Sequence, residues 1–212
     1  MRTAAIARAG ATAPVEPEQV PVSEQGPSSR RVIVGYGFWL FLLSDIILFS
    51  TFFAAYAVLA QRNAGGPVGT QLFHRDRVLL ETACLLASSF TCGIFSLAVD
   101  VRRRGLMLVF ALLTFALGAV FLGIELAEFA DMIGQGAGPG RSAFLSAFFA
   151  LVGLHGLHVT IGLAWLASMV AQVYTLGWRP FVLGRLVCFA LFWHALDIVW
   201  IGVFTIVYLG AR

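Results

Sequence analysis

Apolar residues in this chain gather into long blocks that polar residues only punctuate, with neither a strand's alternation nor a clean helical stripe. Five blocks stand out, at roughly 36–60, 78–100, 106–130, 142–172 and 183–209. Each meets or exceeds the ~20 residues that an α-helix needs to cross ~30 Å of hydrocarbon. The pattern predicts an all-α integral membrane protein, a bundle of five transmembrane helices over residues 36–212. Residues 1–35, rich in Ala, Pro, Glu, Gln and Ser, contain no apolar run, so they read as a flexible tail and not as a signal peptide or a helix. The connections between blocks are short, and none is long enough for a second domain.

Composition agrees with the pattern. With 59% hydrophobic and 12% charged residues, the chain has too little polar surface to cover a water-soluble globule. Its 14 basic residues are all arginine, and a net charge of +3, scattered along the chain, excludes a nucleic-acid partner. Cys84, Cys92 and Cys188 fall inside apolar blocks and read as small fillers. If the N-terminus is cytoplasmic, the inner side holds Arg2, Arg8, Arg30, Arg31, Arg102, Arg103, Arg104, Arg179 and Arg185, leaving five arginines outside. The positive-inside rule therefore places the N-terminus on the cytoplasmic side and the C-terminus outside. The glycines of GQGAGPG between the third and fourth spans lack the preceding strand that a phosphate cradle requires, and read as a tight turn.

Ionisable residues inside the spans carry the most information, because a charge at the bilayer centre costs at least ~2.5–3.5 kcal/mol. Asp45 lies deep in the first span, on one stripe with Phe49, Phe52 and Tyr56. Glu81 opens a stripe through Cys84, Ser88 and Cys92 on the second, and Glu125 and Glu128 stand one turn apart on the third. On the fifth, His194, Asp197, Ile201, Thr205 and Tyr208 follow helical spacing, so one face reads as polar along its length. His194 and Asp197 read as a buried pair, with a proton-conducting role and metal ligation as the other readings.

The fourth span contains ALVGLHGLHVTIGLAWL, residues 150–166. At 100° per residue, His155, His158 and Gly162 share one face, and Gly153, Gly156, Thr160, Ala164 and Ala167 share nearly the opposite one. Small-residue stripes let helices approach closely in lipid, so the second face is the expected packing face. The two histidines supply part of a metal or haem ligand set without a distinctive spacing, which keeps an independent membrane cytochrome open. A transporter would show an inverted repeat, and five spans cannot divide into equal halves.

Three runs are more specific than any spacing: GFWLFLLSDIILFSTFFAAYAVL (37–59), GPGRSAFLSAFFALVGLHGLHVTIGLAWL (138–166) and FWHALDIVWIGVFTIVYL (192–209). Together they resemble subunit III of the haem–copper terminal oxidases, and within that family the form found in bacterial cytochrome o-type ubiquinol oxidases. The resemblance covers about residues 35–212. It implies a subunit III-like bundle of five helices with no catalytic residue, haem or copper of its own. The haems, copper and ubiquinol site are expected in subunit I, with subunits II and IV as further partners and phospholipid bound beside the bundle. The implied role is accessory: packing against subunit I, retaining lipid and supporting assembly and proton uptake. A subunit III-like protein of a cytochrome c oxidase or nitric-oxide reductase system is the alternative.

The resemblance also assigns positions. Glu81 matches a buried carboxylate on the corresponding helix, and Asp45 stands where cytochrome c oxidase relatives carry a glutamate. His155 with His158, and His194 with Asp197, match family elements that ligate no metal. A second span that starts at Val78 leaves Glu81 only one turn from the interface, so an earlier start, near Thr70, is the alternative boundary.

Overall fold

The computed structural model describes residues 30–60 and 75–210. Its elements are α1 (Arg30–Leu59), α2 (Arg75–Asp100), α3 (Arg104–Gly134), α4 (Ala143–Leu176) and α5 (Pro180–Val203), the last running into one π-helical turn at Phe204–Tyr208. All five helices are long and apolar enough to cross a membrane. Their ends depart from the apolar blocks. α1 takes in residues 30–35 of the expected tail, α2 starts at Arg75, and α3 and α4 run on to Gly134 and Leu176. Backbone hydrogen bonding carries a helix past its apolar stretch, so the ends do not coincide with the edges of the apolar blocks. The rest of the expected tail, residues 1–29, and the alternative α2 start near Thr70 lie outside the described residues.

Local chemistry sets the reversals. α3 closes with Gly136 at φ +74°, where Ala137 N–H donates to the Met132 carbonyl and Gly136 N–H to that of Ile133. This left-handed cap is the site where glycine avoids a Cβ penalty. It confirms the turn expected of GQGAGPG. Ser142 then caps α4 by accepting from Leu145 N–H at 3.2 Å. α2 ends in the same bonding pattern, but with Arg102 in the left-handed position at φ 54°. Pro180 opens α5, where its missing N–H costs nothing.

Four helices close a ring: α2 packs on α3, α3 on α4, α4 on α5, and α5 back on α2. α1 stands outside it, docked between α4 and α5. At the centre lies Trp193 of α5, 2% exposed. A Cβ at Gly118 of α3 would come within 2.9 Å of the indole Cη2, and one at Gly162 of α4 within 2.9 Å of Cζ3. The indole Nε1 donates to Ser88 Oγ on α2 at 3.1 Å. One side chain thus touches all three other helices of the ring.

Polar stitches extend this contact. Trp200 Nε1 donates to Thr82 Oγ1 at 3.1 Å, and Ser89 Oγ is bonded to His194 Nδ1 at 2.7 Å, so α2 and α5 are joined at three heights. Thr91 and Thr114 hydroxyls meet at 2.8 Å between α2 and α3, which the Arg77–Asp131 ion pair also joins at 2.6 Å near their ends. With no water in hydrocarbon, such groups must pair inside the bundle.

The small-residue stripe of α4 lies elsewhere than expected. Thr160, Ala164 and Ala167 are exposed, Gly153 is half-buried with the Phe129 ring as its neighbour, and only Gly156 is fully enclosed. Close approach within the chain instead uses Gly118, Gly156 and Gly162, because there a bulky side chain of the facing helix fills the missing volume.

Gly118→Ala is expected to destabilise the bundle by ~1–3 kcal/mol through overpacking against Trp193. Gly123→Ala, at a position with open space, is neutral or stabilising by up to ~1 kcal/mol. Denaturant titration in detergent checks both. Thr82→Val, which strands the Trp200 indole N–H, is expected to cost ~0.6–1.7 kcal/mol in the same assay.

Candidate functional site: buried carboxyls and histidines

The candidate residues fall into three groups. The first lies at the end of the bundle that carries the α3–α4 loop. Glu81 projects from α2 and Glu125 and Glu128 from α3, with exposures of 0%, 2% and 2%. Glu125 lies against the backbone of Gly156, where a Cβ would meet its Oε1 at 2.6 Å. Glycine at that position makes the space for a carboxyl. Tyr208 donates toward Glu128 Oε2 at 3.5 Å. Both oxygens of Glu81, Oε2 of Glu125 and Oε1 of Glu128 have no hydrogen-bond partner among the described residues. Above them the Arg77–Asp131 pair spans the same two helices.

The second group sits near mid-membrane. His155 is fully buried in a cage of aromatic rings, with centroids of Phe49, Phe121 and Trp200 at 6.4, 5.7 and 5.2 Å. Neither of its ring nitrogens has a partner among the described residues. His158 differs: its Nδ1 lies 2.8 Å from the Leu154 carbonyl, an acceptor only, so that nitrogen carries the proton and donates. Its Nε2 then faces Asp45 Oδ2 at 3.8 Å, with side-chain exposures of 13% and 19%. Phe49 stands between the two histidines, 5.2 Å from the second. Beside Asp45 a groove between α1 and α5 is walled by Leu42, Ile46, Phe49, Phe192, Ala195, Leu196 and Val199.

In the third group Ser89 of α2 joins the two polar residues of α5: its Oγ is bonded to His194 Nδ1 at 2.7 Å and also meets Asp197, which is buried with its Oδ1 unpartnered and in electrostatic reach of His194. Ile201 and Thr205 are exposed, whereas Tyr208 is buried. The π-helical turn, marked by Leu209 N–H donating to the Phe204 carbonyl, inserts an extra residue into the helical phase.

The structure brings Glu81 together with Glu125 and Glu128, and Asp45 with His158. His155 stays between these groups, and His194 with Asp197 lies apart. Among the described residues no three His, Cys, Asp or Glu side chains converge on a metal position. Sequence reasoning passed over Thr82, Ser89, the Arg77–Asp131 pair and the wedge role of Trp193.

Comparison with known proteins adds a further finding. Residues 24–211 match the family described as cytochrome c oxidase subunit III. The chain is 51% identical over 174 residues to cytochrome bo(3) ubiquinol oxidase subunit 3 of Pseudomonas aeruginosa, covering 82% of this chain and 83% of that one. It is 50% identical over 173 residues to the protein of the same name from Pseudomonas putida, covering 82% and 84%. To quinol oxidase subunit 3 of Bacillus subtilis it is 43% identical over 192 residues, covering 89% and 92%. With its five apolar helices and a match that spans them all, the chain belongs to the cytochrome c oxidase subunit III family.

Proposed function

We propose that the chain is the accessory subunit III of a proton-pumping ubiquinol oxidase of the haem–copper type in aerobic respiration. The observation that carries this reading is the near-complete alignment with bacterial quinol-oxidase third subunits at about half identity. Haems, copper and ubiquinol belong to subunit I in this reading. Subunits I, II and IV are the protein partners, and phospholipid fills the remaining apolar surface.

Several structural features support it. The outer face of α1 exposes Val32, Ile33, Tyr36, Trp39, Leu40 and Ile47, an apolar surface that lipid or a partner helix would cover. The Arg102–Arg104 reversal shares an end of the bundle with the α4–α5 turn, because the Arg104 guanidinium lies beside Gly177. That arginine-rich end is the cytoplasmic one in this reading, with the chain in the bacterial inner membrane, its N-terminus cytoplasmic and its C-terminus periplasmic. Asp45 and Glu81 support lipid retention and sustained proton uptake, since ionisable groups within spans persist where they serve a site.

Isolation of the full chain from native membranes tests the assignment. A haem- and copper-bearing partner that oxidises ubiquinol is expected to co-purify. Partners of nitrite respiration, or the chain alone with a stoichiometric Soret band, would overturn it. For the two carboxyls, a complex carrying Asp45→Asn and Glu81→Gln is expected to lose phospholipid and inactivate faster during turnover. Unchanged lipid content, activity and inactivation rate would remove that role.

A further inference from the structure

Three buried carboxyl groups occupy one end of the bundle. Glu81 lies ~8 Å inside the start of its span at Asp76, and Glu128 and Glu125 lie ~9 and ~14 Å inside the end of theirs at Gly134, at 1.5 Å per residue. Glu81 is in electrostatic reach of Glu128, and Glu125 of both. Yet four of their six oxygens have no hydrogen-bond partner among the described residues.

Among the described residues the surrounding elements provide one nearby cation. It is Arg77 of α2, in electrostatic reach of Glu81 and Glu128 but bound to Asp131 of α3 at 2.6 Å. The terminal turn contributes the Tyr208 hydroxyl, and α4 contributes the bare backbone of Gly156. His155 of α4 is enclosed by Phe49, Phe121 and Trp200, and on α5 the Trp200 N–H is given to Thr82. From α1, Tyr56 packs against Phe144. Three negative charges beside one cation that is already paired cannot all stand in a low-dielectric interior. What remains is hydrogen: carboxyls that hold protons and share them with one another or with water reaching in from the nearby interface.

We propose that Glu81, Glu125 and Glu128 form a proton-holding site that exchanges with the aqueous phase at the α3–α4 loop end, along the α2–α3 seam closed by the Arg77–Asp131 pair. The chemistry is proton transfer alone, from carboxylic acid to water or back. The site goes beyond the accessory reading, since it lies at the end opposite Arg102–Arg104 and stands whatever the partner subunits oxidise.

Infrared spectroscopy of the full complex tests it through the C=O stretch of protonated carboxylic acids, a signal independent of turnover. At neutral pH that band is expected to be present and to shift down in D₂O. It should lose intensity in Glu81→Gln, Glu125→Gln and Glu128→Gln singly, and most in the triple variant. Spectra that superimpose on the unmutated complex in every variant that assembles would overturn the site, and Glu128→Gln, nearest the interface, suffices if the triple variant does not assemble. The D₂O shift is expected to develop several-fold faster in Arg77→Gln. An unchanged rate would overturn the proposed route.

Discussion

The bundle depends on the placement of one indole. Trp193 fits where α3 and α4 both present glycine, and its N–H finds the only kind of partner lipid cannot supply, a hydroxyl on α2. In a membrane the solvent is as apolar as the core, so helices gain little from hiding leucine. Shape fit and hydrogen bonds must hold them together. A large planar ring between two bare backbones supplies the first, and its donor supplies the second. The other tryptophan contact, Trp200 to Thr82, repeats the device one and a half to two turns along and fixes how α2 and α5 are rotated against each other.

Against that frame of satisfied groups, the unsatisfied ones are set apart in space. The α2–α5 seam has a partner for each of its hydroxyls and indoles, whereas the α2–α3 end gathers carboxyl oxygens that have none. His155 extends the contrast, since it spends a fully buried imidazole on ring contacts alone. A protein under selection for stability alone would replace such groups by apolar ones of similar volume. Their position beside stitched helices means that rigid elements hold them, and that the bundle does not rely on them for its closure.

Much of this was legible in the sequence. Unbroken apolar blocks give five helices because nothing else satisfies the backbone in hydrocarbon, and the in-span acids and histidines announce themselves by cost. The ends were misjudged by a few residues because backbone hydrogen bonding carries a helix past its apolar stretch, which a hydropathy pattern does not register. Packing was the harder inference. The stripe of Thr160, Ala164 and Ala167 satisfies a rule for close approach, but a helix wheel does not say which neighbour, if any, stands opposite. The polar face of α5 failed at Ile201 and Thr205, which the spacing puts on one stripe with Asp197 and Tyr208 but which are exposed where those two are buried.

The placement of α1 bears on the order of biosynthesis. The four-helix ring closes without it, and its principal docking surface within the chain is made of α4 and α5, the latest of the five helices to be made. Of the five, the earliest made must therefore wait for these two before that surface exists. The contacts that Phe49 makes with His155 and His158, and Phe53 with Gly202, are then among the last to form. Maturation of the groove beside Asp45 thus follows the arrival of α5.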